Sequence, residues 1–217
     1  PLNYLYKKGY AAKVKAYVEA GGCYVSTYFS GVVDETDLCI LDRHPLEEVL
    51  GICTEEMDAA NEYHPNSIYF GGKSYQTGCL REVSHVVPGS GTEVLASYEA
   101  DYYAGLPALT CKRYGNGKAY YLACETEADF LRAFYAQLAG ENNVDGAFTG
   151  KLPYGVTASR REGERNLWFL QNFNASEAEA ELPDTYTRVA DGARVEGKVV
   201  LKPYECLILA EKQADGL

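Results

Sequence analysis

The chain has 217 residues and a formal net charge of −11, from 20 basic and 31 acidic side chains. So acidic a surface offers no electrostatic footprint for nucleic acid or an anionic membrane, and the chain holds no apolar run of the ~18 residues that mark a membrane-spanning helix. Apolar residues at 47% and charged residues at 24% describe an ordinary globular protein, long enough for one large domain or two small ones.

The first predicted element is a helix over 10–20, where Ala11, Val14, Tyr17 and Val18 recur at helical spacing. Gly21-Gly22 stops it, because glycine accepts the left-handed conformation cheaply. The β-branched and aromatic run Cys23 to Phe29 then reads as a strand, and helix, turn and strand together make half of a βαβ unit. The polar stretch Ser30 to Asp37 follows a strand end, where α/β folds place ligands. Pro45 opens a short helix through Leu46, Val49 and Leu50, and Gly51 closes it. From Glu55 to Gly78 no periodicity stands out, apart from a short strand at Ser67 to Phe70.

From Cys79 to Glu125 the pattern is β. Glu93 to Tyr98 reads as a strand, and Pro107 to Tyr114 and Lys118 to Cys124 flank Gly115-Asn116-Gly117, a strong hairpin signal. Thr126 with Asp129 has capping-box spacing for a helix whose apolar stripe is Phe130, Leu131, Phe134 and Leu138, with Gly140 at its end. The turn-rich segment 140–150, with Asn142-Asn143 and Asp145-Gly146, reads as a domain boundary. Beyond it come six short strands, at Val156 to Arg160, Leu167 to Phe173, Ala178 to Leu182, Tyr186 to Ala190, Lys198 to Leu201 and Tyr204 to Leu209. They suggest a small antiparallel sandwich, with a frayed tail from Lys212. The expected architecture is therefore an α/β domain over 1–143 and an all-β domain over 150–211.

No charged-then-apolar leader opens the chain. It begins at Pro1 with no initiator methionine, and Met57 is its only methionine, so a segment that is processed, or cut from a longer polypeptide, is expected. The seven cysteines (23, 39, 53, 79, 111, 124 and 206) form no C-x-x-C pair and mostly sit in apolar runs, which points to free, buried thiols in a reducing cytoplasm.

Candidate chemistry is sparse. Gly22-Cys23-Tyr24 offers a possible nucleophile, but Cys23 follows a helix and opens a strand, the reverse of the order that exposes a thiol at a nucleophile elbow. His44 and His64 each precede proline and His85 lies among valines, with no metal-binding spacing. Asp34, Glu35 and Asp37 cluster, as do Glu55 and Glu56. Glycoside hydrolysis needs two carboxyls about 5–10 Å apart across a sugar, a spacing that sequence neighbours on a loop seldom reach, so capping and loop hydrogen bonds are the simpler account. Gly71-Gly72-Lys73-Ser74 ends like a phosphate loop, but Ser67 stands where its first glycine belongs; this stretch and Gly89 to Thr92 read as turns. Among the 19 tyrosines, Tyr98, Tyr102 and Tyr103 cluster and suit core or interface use. The chain itself is expected to carry no catalytic, cofactor-binding or metal-binding residue.

The run Glu19 to Cys39, through Gly21-Gly22-Cys23-Tyr24 and Gly31-Val32-Val33-Asp34-Glu35-Thr36-Asp37, resembles the trimerisation domain of bacterial-type family 42 β-galactosidases. The stretches Glu93 to Tyr98, Tyr102 to Thr110 and Tyr114 to Tyr121 resemble the later part of that domain, and Leu152 to Val156 and Asn172 to Asn174 the family's small C-terminal β domain. The resemblance implies a (β/α)8 barrel holding both catalytic glutamates and, in some members, a cysteine zinc cluster. It also implies a flavodoxin-like, amidotransferase-like α/β domain that mediates trimer formation, and a closing β-sandwich. The barrel and the opening strands of the α/β domain have no counterpart here, so no family catalytic residue maps onto a position of this chain. The function expected is that of a non-catalytic part which holds a cytoplasmic homotrimer together, with β-galactosides met only through the barrel. The alternatives are a stand-alone sugar-binding or scaffold module, with Trp168 as its reporter, and an amidotransferase-like cysteine enzyme.

Overall fold

In the computed structural model, which describes residues 2–41, 43–61, 63–144, 146 and 148–212, the chain divides into two compact units, Pro1–Asn142 and Asn143–Leu217. The first is α/β. A short strand β1 (Leu5–Tyr6) leads through Gly9 into helix α1 (Tyr10–Glu19), which buries Val14 and Val18. Strand β2 (Cys23–Thr27) follows, then β3 (Val33–Asp34), which pairs in parallel with β1. Helix α2 (Glu47–Leu50) ends at Gly51, whose φ of 65° is the left-handed cap that glycine was expected to supply.

Strands β4 (Ile52–Ala59), β5 (Ser67–Phe70), β6 (Lys73–Val86), β7 (Glu93–Ser97), β8 (Pro107–Tyr114), β9 (Gly117–Leu122) and β10 (Cys124–Thr126) come next, and helix α3 (Ala128–Glu141) closes the unit. A mixed sheet runs β2-β9-β8-β7, with β2 and β9 parallel and the other pairs antiparallel. A second runs β10-β6-β4, and β5 pairs with the first half of β6. Alternation along β9 sorts the core. Tyr120 and Leu122 meet Phe130, Phe134 and Leu138 of α3, whereas Ala119 and Tyr121 meet Val14 and Val18 of α1 and Val49 and Leu50 of α2. The sheet thus carries α3 on one face and α1 and α2 on the other, as an α/β reading requires.

Three expectations change. The region 55–78 is not irregular, because it holds most of β4 and the first half of the 14-residue β6. β4 is an edge strand, and Glu55, Glu56 and Asp58 keep that edge charged, which hides the strand period. Thr126 does not cap α3. It pairs with Thr77 as part of β10, its hydroxyl is buried without a partner, and Glu127 takes the cap position with no side-chain bond, so the capping box does not form. The cysteines are all free, but only Cys111 and Cys124 are buried; Cys23 is half-buried, and Cys39, Cys53, Cys79 and Cys206 are exposed. Cys53 shows why, for it alternates with buried Ile52 and so points to the other face of β4.

The second unit is all-β. Strands β11 (Val156–Arg161), β12 (Leu167–Asn172), β13 (Ala178–Glu181), β14 (Tyr186–Arg188), β15 (Arg194–Val195), β16 (Lys198–Leu201) and β17 (Cys206–Glu211) form a five-stranded sheet β11-β12-β17-β14-β15 and a two-stranded sheet β13-β16. All pairs are antiparallel. Trp168, Leu170 and Leu209 from the larger sheet and Ala180 and Leu201 from the smaller fill one core. The six predicted strands are present, and the short β15 joins them. Asp145 of the turn-rich boundary and the tail beyond Lys212 lie outside the described residues.

Candidate functional site

The parallel pair β2 and β9 makes one end of the first sheet the place where an α/β fold leaves room for a ligand. Beyond Thr27 the chain turns sharply. Tyr28 donates its N–H to Leu122 O at 2.7 Å, and Phe29 sits at a φ of 56°, a left-handed conformation unfavourable for an aromatic residue. The turn is held from below, where Phe29 N donates to Glu82 Oε1 at 2.9 Å. Gly31 follows at a φ of 68°, and a Cβ there would lie 2.8 Å from both His44 Nε2 and the Tyr6 ring, so this loop closes down onto His44 only with glycine.

Glu82, on β6, is only 2% exposed. Tyr121 of β9 donates its hydroxyl to Glu82 Oε2. Burial pushes the Glu82 carboxyl up, while the bonds from Tyr121 and Phe29 pull it back. Burial and the adjacent Glu82 hold the Tyr121 hydroxyl well above its ordinary range. His44 has both ring nitrogens engaged. Leu46 N donates to Nδ1 at 3.1 Å, so Nε2 carries the proton and donates to Ser30 O at 2.9 Å. Burial lowers the imidazole's pKa, and the ring stays neutral.

These groups enclose a cleft of about 700 Å³. Glu82, Tyr121 and Thr54 form its deep end, Val32, Ile40 and Met57 give it apolar walls, and Arg43 and Glu47 stand at its mouth with their charged atoms 3.7 Å apart. Both ring nitrogens of the histidine are thus engaged, and the buried acid accepts two hydrogen bonds.

The residues singled out in the sequence fall elsewhere, apart from His44. Cys23 opens β2, and burial raises its thiol. Asp34 Oδ1 accepts from Thr36 N at 2.8 Å, Thr36 Oγ1 at 2.7 Å and Leu38 N at 3.2 Å, a self-contained loop, and these bonds lower its carboxyl. Glu55 pairs with His85 at 3.2 Å on exposed strand surface. The nearby Glu56 carboxyl raises the Tyr102 phenol to about 12. Gly71-Gly72 is the two-residue turn between Phe70 and Lys73, and in the other glycine-rich stretch Ser90 and Thr92 bond back to the main chain at Gly51 and Leu50. Tyr98 and Tyr103 are core residues. The Tyr98 hydroxyl lies 3.1 and 3.0 Å from the carbonyls of Glu82 and Ala123, and Tyr103 donates to Asp58 at 2.6 Å. Tyr102 alone of the three is exposed. Among the described residues, no group of acidic, histidine or cysteine side chains is arranged to hold a metal ion.

Sequence reasoning missed Glu82 and Tyr121. The available signal was the consecutive pair Arg81-Glu82 inside a strand flanked by Leu80 and Val83, which demands two charges buried on opposite faces.

Residues 1–145 match the β-galactosidase trimerisation domain, and residues 155–211 match the β-galactosidase C-terminal domain. β-Galactosidase Pbg of Clostridium perfringens is 36% identical over 220 residues, covering 98% of this chain and 32% of that protein. β-Galactosidase BglY of Alicyclobacillus acidocaldarius is 38% identical over 224 residues, covering 100% of this chain and 33% of its own. The crystal structure of the cold-adapted β-galactosidase from Rahnella sp. R3 superposes with a TM-score of 0.85 at 39% identity, over 98% of this chain and 32% of that one. The chain thus spans about a third of the length of the curated relatives it matches. With both its units accounted for in this way, the chain belongs to the glycoside hydrolase family 42 β-galactosidases, over their trimerisation and C-terminal domains.

Proposed function

We propose that this chain is the assembly part of a homotrimeric β-galactosidase, and that a (β/α)8 barrel in the same protein cleaves terminal β-galactosides. The observation that carries the reading is the match of residues 1–145 to the trimerisation domain. The first unit also leaves Leu38, Leu41, Tyr63 and Tyr102 in solvent, side chains of the kind that interfaces bury. Three copies related by a closed cyclic axis would cover them. None of the sheets formed by the described residues closes into a barrel, which fits a division of labour between assembly here and chemistry elsewhere. Seven free thiols fit a reducing cytoplasm. No helix among the described residues is long and apolar enough to cross a membrane.

Light scattering coupled to gel filtration tests the proposal. A polypeptide joining this chain to its barrel should elute with the mass of three copies and cleave a chromogenic β-galactoside, while this chain alone should cleave none. A monomer in the presence of the barrel would end the assembly reading, and galactosidase activity in this chain alone would end the division of labour.

A further inference from the structure

Four features of the cleft beside His44 belong to ligand sites. It lies past the C-terminal ends of a parallel strand pair, the usual ligand position in α/β sheets. Its volume of about 700 Å³ is that of a small-molecule site and far exceeds the room a bare metal ion needs. The left-handed Phe29 is backbone strain of the kind found at ligand clamps. Its deep end holds a buried acid whose retention burial alone does not favour.

Charge selects the ligand. Among the described residues, no lysine, arginine or histidine forms a salt bridge with Glu82. The neighbouring Arg81 is turned to the other side of β6, where it donates to Gly78 O and Tyr103 Oη and faces Asp58 at 3.9 Å. At the mouth, Arg43 and Glu47 offset one another. Among the described residues the cleft therefore carries one uncompensated acid, which disfavours phosphates and carboxylates and leaves a neutral sugar with nothing to neutralise. An ammonium group offers three donors. Glu82, Thr54 Oγ1 and Tyr121 Oη supply acceptor lone pairs at the deep end, and Val32, Ile40 and Met57 supply apolar surface for a short carbon body. We infer that this cleft binds a small organic cation, a primary ammonium on an apolar body of a few carbons, with Glu82 as its counter-ion.

The test is calorimetric titration of the 217-residue chain with n-butylammonium, beside parallel titrations with galactose and inorganic phosphate. Saturable binding of n-butylammonium is expected, and neither of the other two should bind. Glu82→Gln should weaken binding at least tenfold, while Glu55→Gln, at the exposed pair with His85, should leave it unchanged. Because Glu82 also braces the fold, Met57→Arg provides a second arm: it puts a cation into the cleft from a position already 41% exposed and should weaken binding at least tenfold with the circular dichroism spectrum unaltered. The inference is overturned if n-butylammonium does not saturate, if galactose or phosphate binds in its place, or if Met57→Arg binds as well as the parent chain. None of these outcomes bears on the trimer.

Discussion

Tyr121 donates its hydroxyl to the carboxyl of Glu82, and this one bond ties the mixed sheet to the β10-β6-β4 sheet. Tyr121 lies on β9, Glu82 lies on β6, and both are almost wholly buried. Removing the donor leaves Glu82 Oε2, almost wholly buried at the deep end of the cleft, without its protein partner. Tyr121→Phe should therefore cost about 1–3 kcal/mol of stability, the range for an orphaned buried acceptor. Urea unfolding should show a lower midpoint at unchanged slope, since the ring still fills its place.

The same carboxyl makes stability fall with rising pH. Burial raises the folded pKa of Glu82 above its unfolded value, so the folded state holds this proton more tightly. The resulting stabilisation is fully present below the unfolded value and is lost as pH rises through the folded one. Glu82→Gln cannot ionise and lacks this dependence. The stability of the parent chain minus that of Glu82→Gln should shrink between pH 4 and pH 8, measured as paired urea midpoints. A gap that widens with pH would contradict a carboxyl pushed up by burial.

Glu211 predicts the opposite slope, in the other unit. It accepts from Arg160 Nε at 2.8 Å, Asn166 Nδ2 at 2.8 Å and the Trp168 indole at 2.8 Å. The guanidinium and then Asn166 hold its carboxyl down to about 2. A depressed carboxyl stabilises the fold above its unfolded pKa, and that stabilisation is lost as pH falls through the folded value. Trp168 is the only tryptophan, so its fluorescence reports the sandwich alone. Acid unfolding followed at Trp168 should begin at higher pH in Glu211→Gln than in the parent chain. Coincident curves would show that this network adds nothing.

The hairpin glycine Gly117 should tolerate no side chain. A Cβ built there would stand 2.2 Å from Val18 O and 2.3 Å from Gly22 O, both main-chain atoms that cannot swing aside. Gly117→Ala must push α1 or the start of β2 away from the sheet, at about 3 kcal/mol or more. A clear drop in melting temperature is expected, whereas Gly71→Ala, with nothing near its Cβ, should show only the smaller penalty of its left-handed backbone.

How far these features could be read from sequence depends on whether they are local. The helix over Tyr10–Glu19, the Gly51 cap and the Gly115-Asn116-Gly117 hairpin follow from residues adjacent in the chain, and they stand where the pattern put them. β4 did not, because an edge strand bearing Glu55, Glu56 and Asp58 looks like a loop until β6 is set beside it. Thr126 misled for the same reason: its spacing to Asp129 is that of a cap, but pairing with Thr77, 49 positions away, claimed it for a strand. The cleft was the least legible feature. Phe29, His44, Glu82 and Tyr121 come from four separate stretches, and only the closed fold shows that one carboxyl meets a strained amide and a phenol.

Thiol chemistry separates the accessible from the buried cysteines and bears on whether any of them acts as a nucleophile. Cys39, Cys53, Cys79 and Cys206 are exposed, and an aromatic disulfide reagent should reach them first. Cys79 should be the slowest of these four, since its Sγ donates to Glu125 Oε2 at 3.4 Å, a contact the reagent must displace. Cys111 is buried with its thiol raised, and Cys124, fully buried, is pushed up to about 12, so both should react only on unfolding. Cys23 should lag behind the exposed four, because burial raises it as well. The expected trace has four equivalents released early and three released late. A single cysteine reacting far ahead of the rest at neutral pH would require an activating base that none of the described histidines supplies to Cys23. It would return the cysteine-enzyme reading to consideration, and the slow, exposure-ordered release expected here leaves that reading without a nucleophile.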